Sequence, residues 1–184
     1  MPKVLVPLAE GFEEMEAVTV IDVLRRAGVE VVSAGLTEGP IQGSRGVTVI
    51  PDTALDRIDD SEFDMVVLPG GGPGVEKLRL NKRIHEIVTR IHERKGYVTA
   101  ICAAPSIYAE LGFLEGRKAT SHPTVRDRVT PRVLEYSGDN VVVDGHFITS
   151  RGPGTSLEFA IKLVETLMGP EKAQKVHEGI MAKA

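Results

Sequence analysis

The chain has a single cysteine, Cys102, among its 184 residues. One cysteine cannot close an internal disulfide, so the sequence reads as built for a reducing compartment. Five histidines are dispersed along it and, with one thiol, give no zinc-ligand spacing, so no metal is expected. No apolar run approaches the length needed to span a bilayer. The stretch Met1–Val6 is too short for the apolar core of a secretory signal. The expectation is therefore a soluble cytoplasmic protein with no membrane partner. Positive charge is not in excess either. The 22 Lys and Arg against 26 Asp and Glu leave a net charge of −4. That argues against a nucleic-acid surface working by counterion release. Linkers, repeats and low-complexity tracts are lacking, so residues 1–184 read as one domain, large enough for a full core.

What is present is an alternation of short apolar runs with helical stretches. It predicts a mostly parallel sheet covered by helices on both faces. Strands are expected at Lys3–Leu8, Val29–Ala34, Met65–Leu68 and Tyr97–Ile101, the last ending at Cys102. Further strands are expected at Lys118–Thr120, Val133–Tyr136, Val141–Val143 and Phe147–Thr149. Ile41–Ile50, interrupted by Gly43 and Gly46, reads as an edge hairpin or a bent extended segment. Helices are expected at Glu13–Ala27, Asn81–Arg94, Pro153–Met168 and Glu171–Lys183. Gly28 and Gly169 fall where helices end, and Pro153 near where one starts.

The first helix is apolar on two sides. Met15, Val18 and Ile21 fall on one face; Ala17, Val20 and Leu24 fall on another. A helix packed only on its own sheet needs one stripe. The second predicts burial against another subunit, hence a homodimer through this helix.

In an open α/β sheet, chemistry gathers at the carboxyl ends of the strands. Three segments are expected there: Glu10–Glu16, the glycine-rich turn after Leu68, and Ile101-Cys102-Ala103. A thiol between a strand and a helix start is how this architecture presents a nucleophile. The helix-start N–H groups favour its thiolate. Glu16, near the first turn of its helix, is placed to be desolvated, hold a proton and share it with the thiol. Glu13 and Glu14 compete by position; Glu14 is expected to be a solvated first-turn residue. Gly70-Gly71-Gly72 matches neither nucleotide-binding fingerprint and reads as a turn whose N–H groups approach the sulfur. His122, in a loop after a short strand, is a candidate proton shuttle.

These residues together resemble the ThiJ/PfpI superfamily, and within it the branch of the Parkinsonism-associated protein deglycase. The resemblance runs nearly end to end. It is carried by Gly11-Phe12-Glu13-Glu14-Met15-Glu16, Asp22–Gly28, Val67–Gly71, Ala100–Ala103, Thr120–Pro123 and Thr149–Ser156. It implies a flavodoxin-like sandwich, a homodimer, and Cys102 as a strained, acidic nucleophile with protonated Glu16 as partner. Gly71 and Ala103 would be backbone donors, and His122 would share the pocket. Gly70, Glu13, Arg45 and Arg26 would line the substrate site. Ala103 stands where the protease-like branch has a histidine after its cysteine. The His and Glu pair near the chain's end that glutamine amidotransferases need is absent. The activity implied is a cofactor-independent glyoxalase or deglycase acting on glyoxal, methylglyoxal or glycated protein. Two other classes remain open: a redox-responsive stress protein or chaperone, and a dimeric domain whose thiol has no role.

Overall fold

The computed structural model describes residues 1–182. Seven strands form the central sheet: β1 (Lys3–Leu8), β2 (Glu30–Gly35), β5 (Thr53–Ala54), β6 (Met65–Leu68), β7 (Tyr97–Ile101), β10 (Val141–Asp144) and β11 (Phe147–Ser150). Their order is β10-β11-β7-β6-β1-β2-β5. All neighbours run parallel except β10, which returns antiparallel to β11. The mostly parallel sheet expected from the alternating pattern forms, and with it the flavodoxin-like sandwich that the resemblance implies.

Strand side chains alternate between faces, and the core follows. Leu5, Val66, Leu68 and Val98 join one buried cluster with Ile84, Ile87 and Ile91 of α3 (Lys82–Glu93). Val4, Val6, Met65 and Val67 join the other. That second cluster takes Val20 and Leu24 from α1 (Glu14–Arg26) and Phe159 and Leu163 from α6 (Ser156–Met168). Being buried on both faces, the central strands read as continuous apolar runs.

Several expectations are corrected. Ile41–Ile50 does contain a hairpin, β3 (Ile41–Gln42) with β4 (Thr48–Val49), but it lies outside the main sheet. Of the strands expected at Lys118–Thr120 and Val133–Tyr136 only β8 (Lys118–Ala119) and β9 (Glu135–Tyr136) form, paired with each other and separated in sequence by the single turn α5 (Arg126–Val129). The glycine-rich turn is shorter than it reads, because α2 (Gly72–Leu80) begins inside it with Pro73 in its first turn. Proline is tolerated there because its missing N–H needs no partner. Pro153–Thr155 is a 3-10 turn, and the α-helix starts only at Ser156. The last helix, α7, covers Pro170–Gly179, short of the expected end at Lys183, which lies outside the described residues. Among the described residues no helix is long and apolar enough to cross a membrane.

The two stripes of α1 have different fates. Ala17, Val20 and Leu24 are buried in the second cluster. Met15 and Val18 are 58% and 47% exposed, and Leu157 of α6, which lines a hollow with Val18, is 39% exposed, whereas Ile21 of the same stripe packs against the second cluster.

Candidate active site

Cys102 follows β7 on a turn and precedes α4 (Pro105–Glu110). Its φ is +65°, a left-handed conformation that L residues other than glycine, asparagine and aspartate seldom adopt. Such strain persists only where the surroundings hold it. Here they do: Cys102 N–H donates to the Ser150 carbonyl at 3.0 Å, and its carbonyl accepts from His122 N–H at 2.7 Å.

Glu16 reaches the same point from the first turn of α1. Its side chain is wholly buried. Oε2 accepts the Gly70 N–H at 2.7 Å. Oε1 is buried without a hydrogen-bonded nitrogen or oxygen, and the carboxyl interacts with the Cys102 thiol. Burial dominates and pushes Glu16 up to about 7, against the pull of the Cys102 and Gly70 hydrogen bonds, with the charge of Glu13 adding to the rise.

Cys102 is expected to be acidic beside a protonated Glu16; beside a charged Glu16 the balance is the opposite. Burial first, then the charge and hydrogen bond of Glu16, push its thiol up to about 12; the N–H groups of Ala103 and Gly71 pull the other way. The two groups titrate as a unit. One proton leaves near neutrality and the second is held. With that proton on Glu16, the carboxylate charge opposing the thiolate is gone, and the two N–H donors favour the charge on sulfur.

The glycine turn is fitted to this pair. A Cβ on Gly70 would collide with the Glu16 carboxylate and sit 2.5 Å from Cys102 Cβ and 3.0 Å from Sγ. Gly71 has φ +92° and leaves no room for a side chain against the Gly11 carbonyl.

The remaining predicted residues divide. Glu13 caps α1 by accepting the Glu16 N–H at 2.9 Å, so it aims Glu16. His122 sits beside Cys102 through the backbone bond above, and lines a hollow of about 310 Å³ with Arg151 and Gly152. Arg45 lies on the turn of the β3–β4 hairpin, its N–H donating to Glu14 Oε1 at 2.6 Å. Among the described residues the Arg45 guanidinium has no hydrogen bond, and it is exposed.

Arg26 is not brought to the site within this chain. It ends α1, ten residues beyond Glu16, about 15 Å along the axis at the helical rise. There it pairs with Asp22 at 2.8 Å.

Glu14 is not solvated but 8% exposed. It holds the hairpin turn through Ser44 Oγ at 3.1 Å, Arg45 N–H at 2.6 Å and Val47 N–H at 3.3 Å. Burial pushes its carboxyl up, but hydrogen bonds from its own N–H and from Arg45, Val47 and Ser44 outweigh this and hold it below the usual range. Gly43 makes room for it, since a Cβ there would strike the Glu14 side chain.

Fold and site together define a class: a flavodoxin-like sandwich carrying a cysteine on a strained turn against a buried carboxyl. The chain matches the DJ-1/PfpI family over residues 2–166. It is 42% identical over 178 residues to Protein dj-1beta of Drosophila melanogaster, covering 96% of this chain and 95% of that one. The crystal structure of Drosophila melanogaster DJ-1beta is similar with a TM-score of 0.95 at 40% identity, covering 100% of this chain and 99% of that chain. The Glutathione-independent glyoxalase DJR-1.2 of Caenorhabditis elegans is 40% identical over 167 residues, 91% of this chain and 89% of that protein. The chain belongs to the DJ-1/PfpI family.

Proposed function

We propose that the protein is a cofactor-independent glyoxalase acting on small dicarbonyls such as glyoxal and methylglyoxal. The observation that carries this is the wholly buried Glu16 carboxyl set against Cys102 on its strained turn. The glyoxalase name of a 40% identical relative supports the reaction class.

The Cys102 thiolate attacks the aldehyde carbon. A C–S bond forms and the carbonyl electron pair moves to oxygen, which takes the proton from Glu16. Glu16, now a carboxylate, removes hydrogen from that carbon, giving an enediolate, and returns it to the neighbouring carbon while the hydroxyl proton of the first carbon passes to the second oxygen. The product is a thioester. Water adds to its carbonyl and the sulfur leaves with a proton, restoring the pair. The sum is methylglyoxal plus water to lactate, or glyoxal to glycolate. Gly71 and Ala103 N–H groups face the developing charge. Early adducts on proteins form reversibly, so consuming free dicarbonyl also drains them by mass action. Deglycation is thus a consequence of the same chemistry.

A homodimer packed through α1 is part of this proposal, supported by the exposed strip of Met15, Val18 and Leu157.

The test is lactate formed from methylglyoxal by purified protein, without glutathione or added metal, beside Cys102→Ser. Many equivalents from the wild type and none from the variant support the enzyme. No turnover from either favours a redox role, in which the solitary thiol is oxidised to sulfinate with no second cysteine to resolve it.

A further inference from the structure

The imidazole of His122 is held in one tautomer by its neighbours. The backbone N–H of Thr124 donates to His122 Nδ1 at 3.3 Å. A backbone N–H can only donate, so Nδ1 is the acceptor. Thr124 Oγ1 lies 2.8 Å from the same nitrogen, and its hydroxyl donates there too. In a neutral imidazole one nitrogen accepts and the other carries the hydrogen. The hydrogen is therefore on Nε2.

The ring is also held in orientation. Turning it over would place the Cδ2 hydrogen against both Thr124 donors. Its other edge rests on Gly152, where a Cβ would stand 3.2 Å from Cδ2. The segment itself is tied down. The Tyr136 hydroxyl donates to the Ser121 carbonyl at 2.9 Å, and His122 N–H closes on the Cys102 carbonyl at 2.7 Å.

We propose that Thr124 fixes His122 as a neutral Nε2–H donor, so that His122 stabilises the enediolate oxygen of the dicarbonyl reaction and does not carry its proton. The reaction part rests on the glyoxalase proposal; the tautomer does not. When Glu16 removes hydrogen from the sulfur-bearing carbon, the electron pair moves through the carbon–carbon bond onto the second carbonyl oxygen. Nε2–H hydrogen-bonds that oxygen and keeps its proton. Nδ1, already filled by two donors, offers no lone pair to the substrate. A neutral imidazole serving as an electrophile in this way is sound chemistry for an enediolate. Proton transfer then falls to Glu16 alone, and Thr124 is a positioning residue.

Two measurements test this. The first is nitrogen-15 NMR of the whole protein with labelled histidine, at a pH where the imidazoles are neutral. His122→Gln identifies the His122 signals among the five histidines. Nε2 is expected to be protonated and Nδ1 unprotonated. Thr124→Val removes the hydroxyl but keeps the backbone donor, so it is expected to shift the pair only part of the way toward the mixed pattern of free imidazole, with Thr124→Ser restoring it. A protonated Nδ1, or a mixed pattern in the wild type, overturns the proposal whatever the turnover. The second compares His122→Ala with His122→Gln, whose amide donates but does not titrate. The alanine variant is expected to lose about 100-fold in kcat, the scale of one oxyanion donor, and the glutamine variant to recover at least about tenfold of that loss. Glutamine no better than alanine overturns the donor role. If the wild type itself turns nothing over, the glyoxalase proposal and the donor role fall together, while the tautomer still stands or falls on its resonances.

Discussion

Glu16 and Gly70 stand 54 residues apart in sequence, yet a carboxyl oxygen of one accepts the amide hydrogen of the other at 2.7 Å. The contact is close because residue 70 has no side chain. Gly70→Ala is therefore expected to force the carboxyl and the thiol apart. Overpacking of this kind costs about 1–3 kcal/mol. A lowered melting temperature together with lost turnover is the expected outcome; an unchanged rate would show that the fit does not matter.

Glu16 makes both stability and rate depend on pH. Its folded pKa, about 7, lies above the ordinary 4.5. The protonated form is the one the fold prefers. Its stabilising contribution is full below pH 4.5 and is lost as pH rises through 7. The size is on the order of 3 kcal/mol, from about 1.4 kcal/mol per unit. Denaturant unfolding at pH 5 and pH 8 is expected to show this fall in the wild type and not in Glu16→Gln.

The rate runs the other way. The pair must lose one proton before sulfur can attack, so kcat/KM is expected to rise with pH through about 7, where Glu16 titrates. Glu16→Gln keeps a donor but cannot accept a proton. It is expected to lose the rise and most of the rate, while alkylation of Cys102 falls less. Equal losses in alkylation and turnover would contradict the shuttle.

Glu14 ties the hairpin to the site. Glu14→Ala leaves the Arg45 and Val47 N–H groups and the Ser44 hydroxyl without their acceptor. The expected cost is about 1–3 kcal/mol. Faster hydrogen exchange at residues 44–47 than elsewhere in the hairpin's neighbourhood is the signature to look for. Uniform exchange would mean the carboxylate is not the anchor.

For the dimer, sedimentation velocity at micromolar concentration is the direct measurement. The wild type is expected to sediment as two chains, and Val18→Glu, which places a charge on the exposed strip, as one. A monomeric wild type removes the second copy from the proposal.

Much of the fold was legible in the sequence. Residues 4–8 and Met65–Leu68 are buried on both faces, so every position in them is apolar and the signal is strong. The Cys102 turn was legible because a strand ends and a helix opens around one thiol. The start of α2 was not, since Pro73 and three glycines read equally as a loop; only packing decides. The job of Glu14 depends on a loop thirty residues away, beyond any local pattern. Within one chain Arg26 stands apart from Glu16 along the helix, so the seam position that the resemblance implies for it depends on a second copy. The thiol's raised pKa follows from burial and from Glu16's charge, neither visible at residue 102 itself.

The half-buried position of the lone sulfur has a consequence for misfolded chains. In the fold, Cys102 is enclosed by the Gly70 turn and the Glu16 carboxyl. Unfolding releases it as an ordinary thiol. Each released chain then has a single point of oxidative attachment. Two chains can join once, and the pair has no thiol left to recruit a third, so disulfide cross-linking of this protein ends at the dimer and cannot build a network.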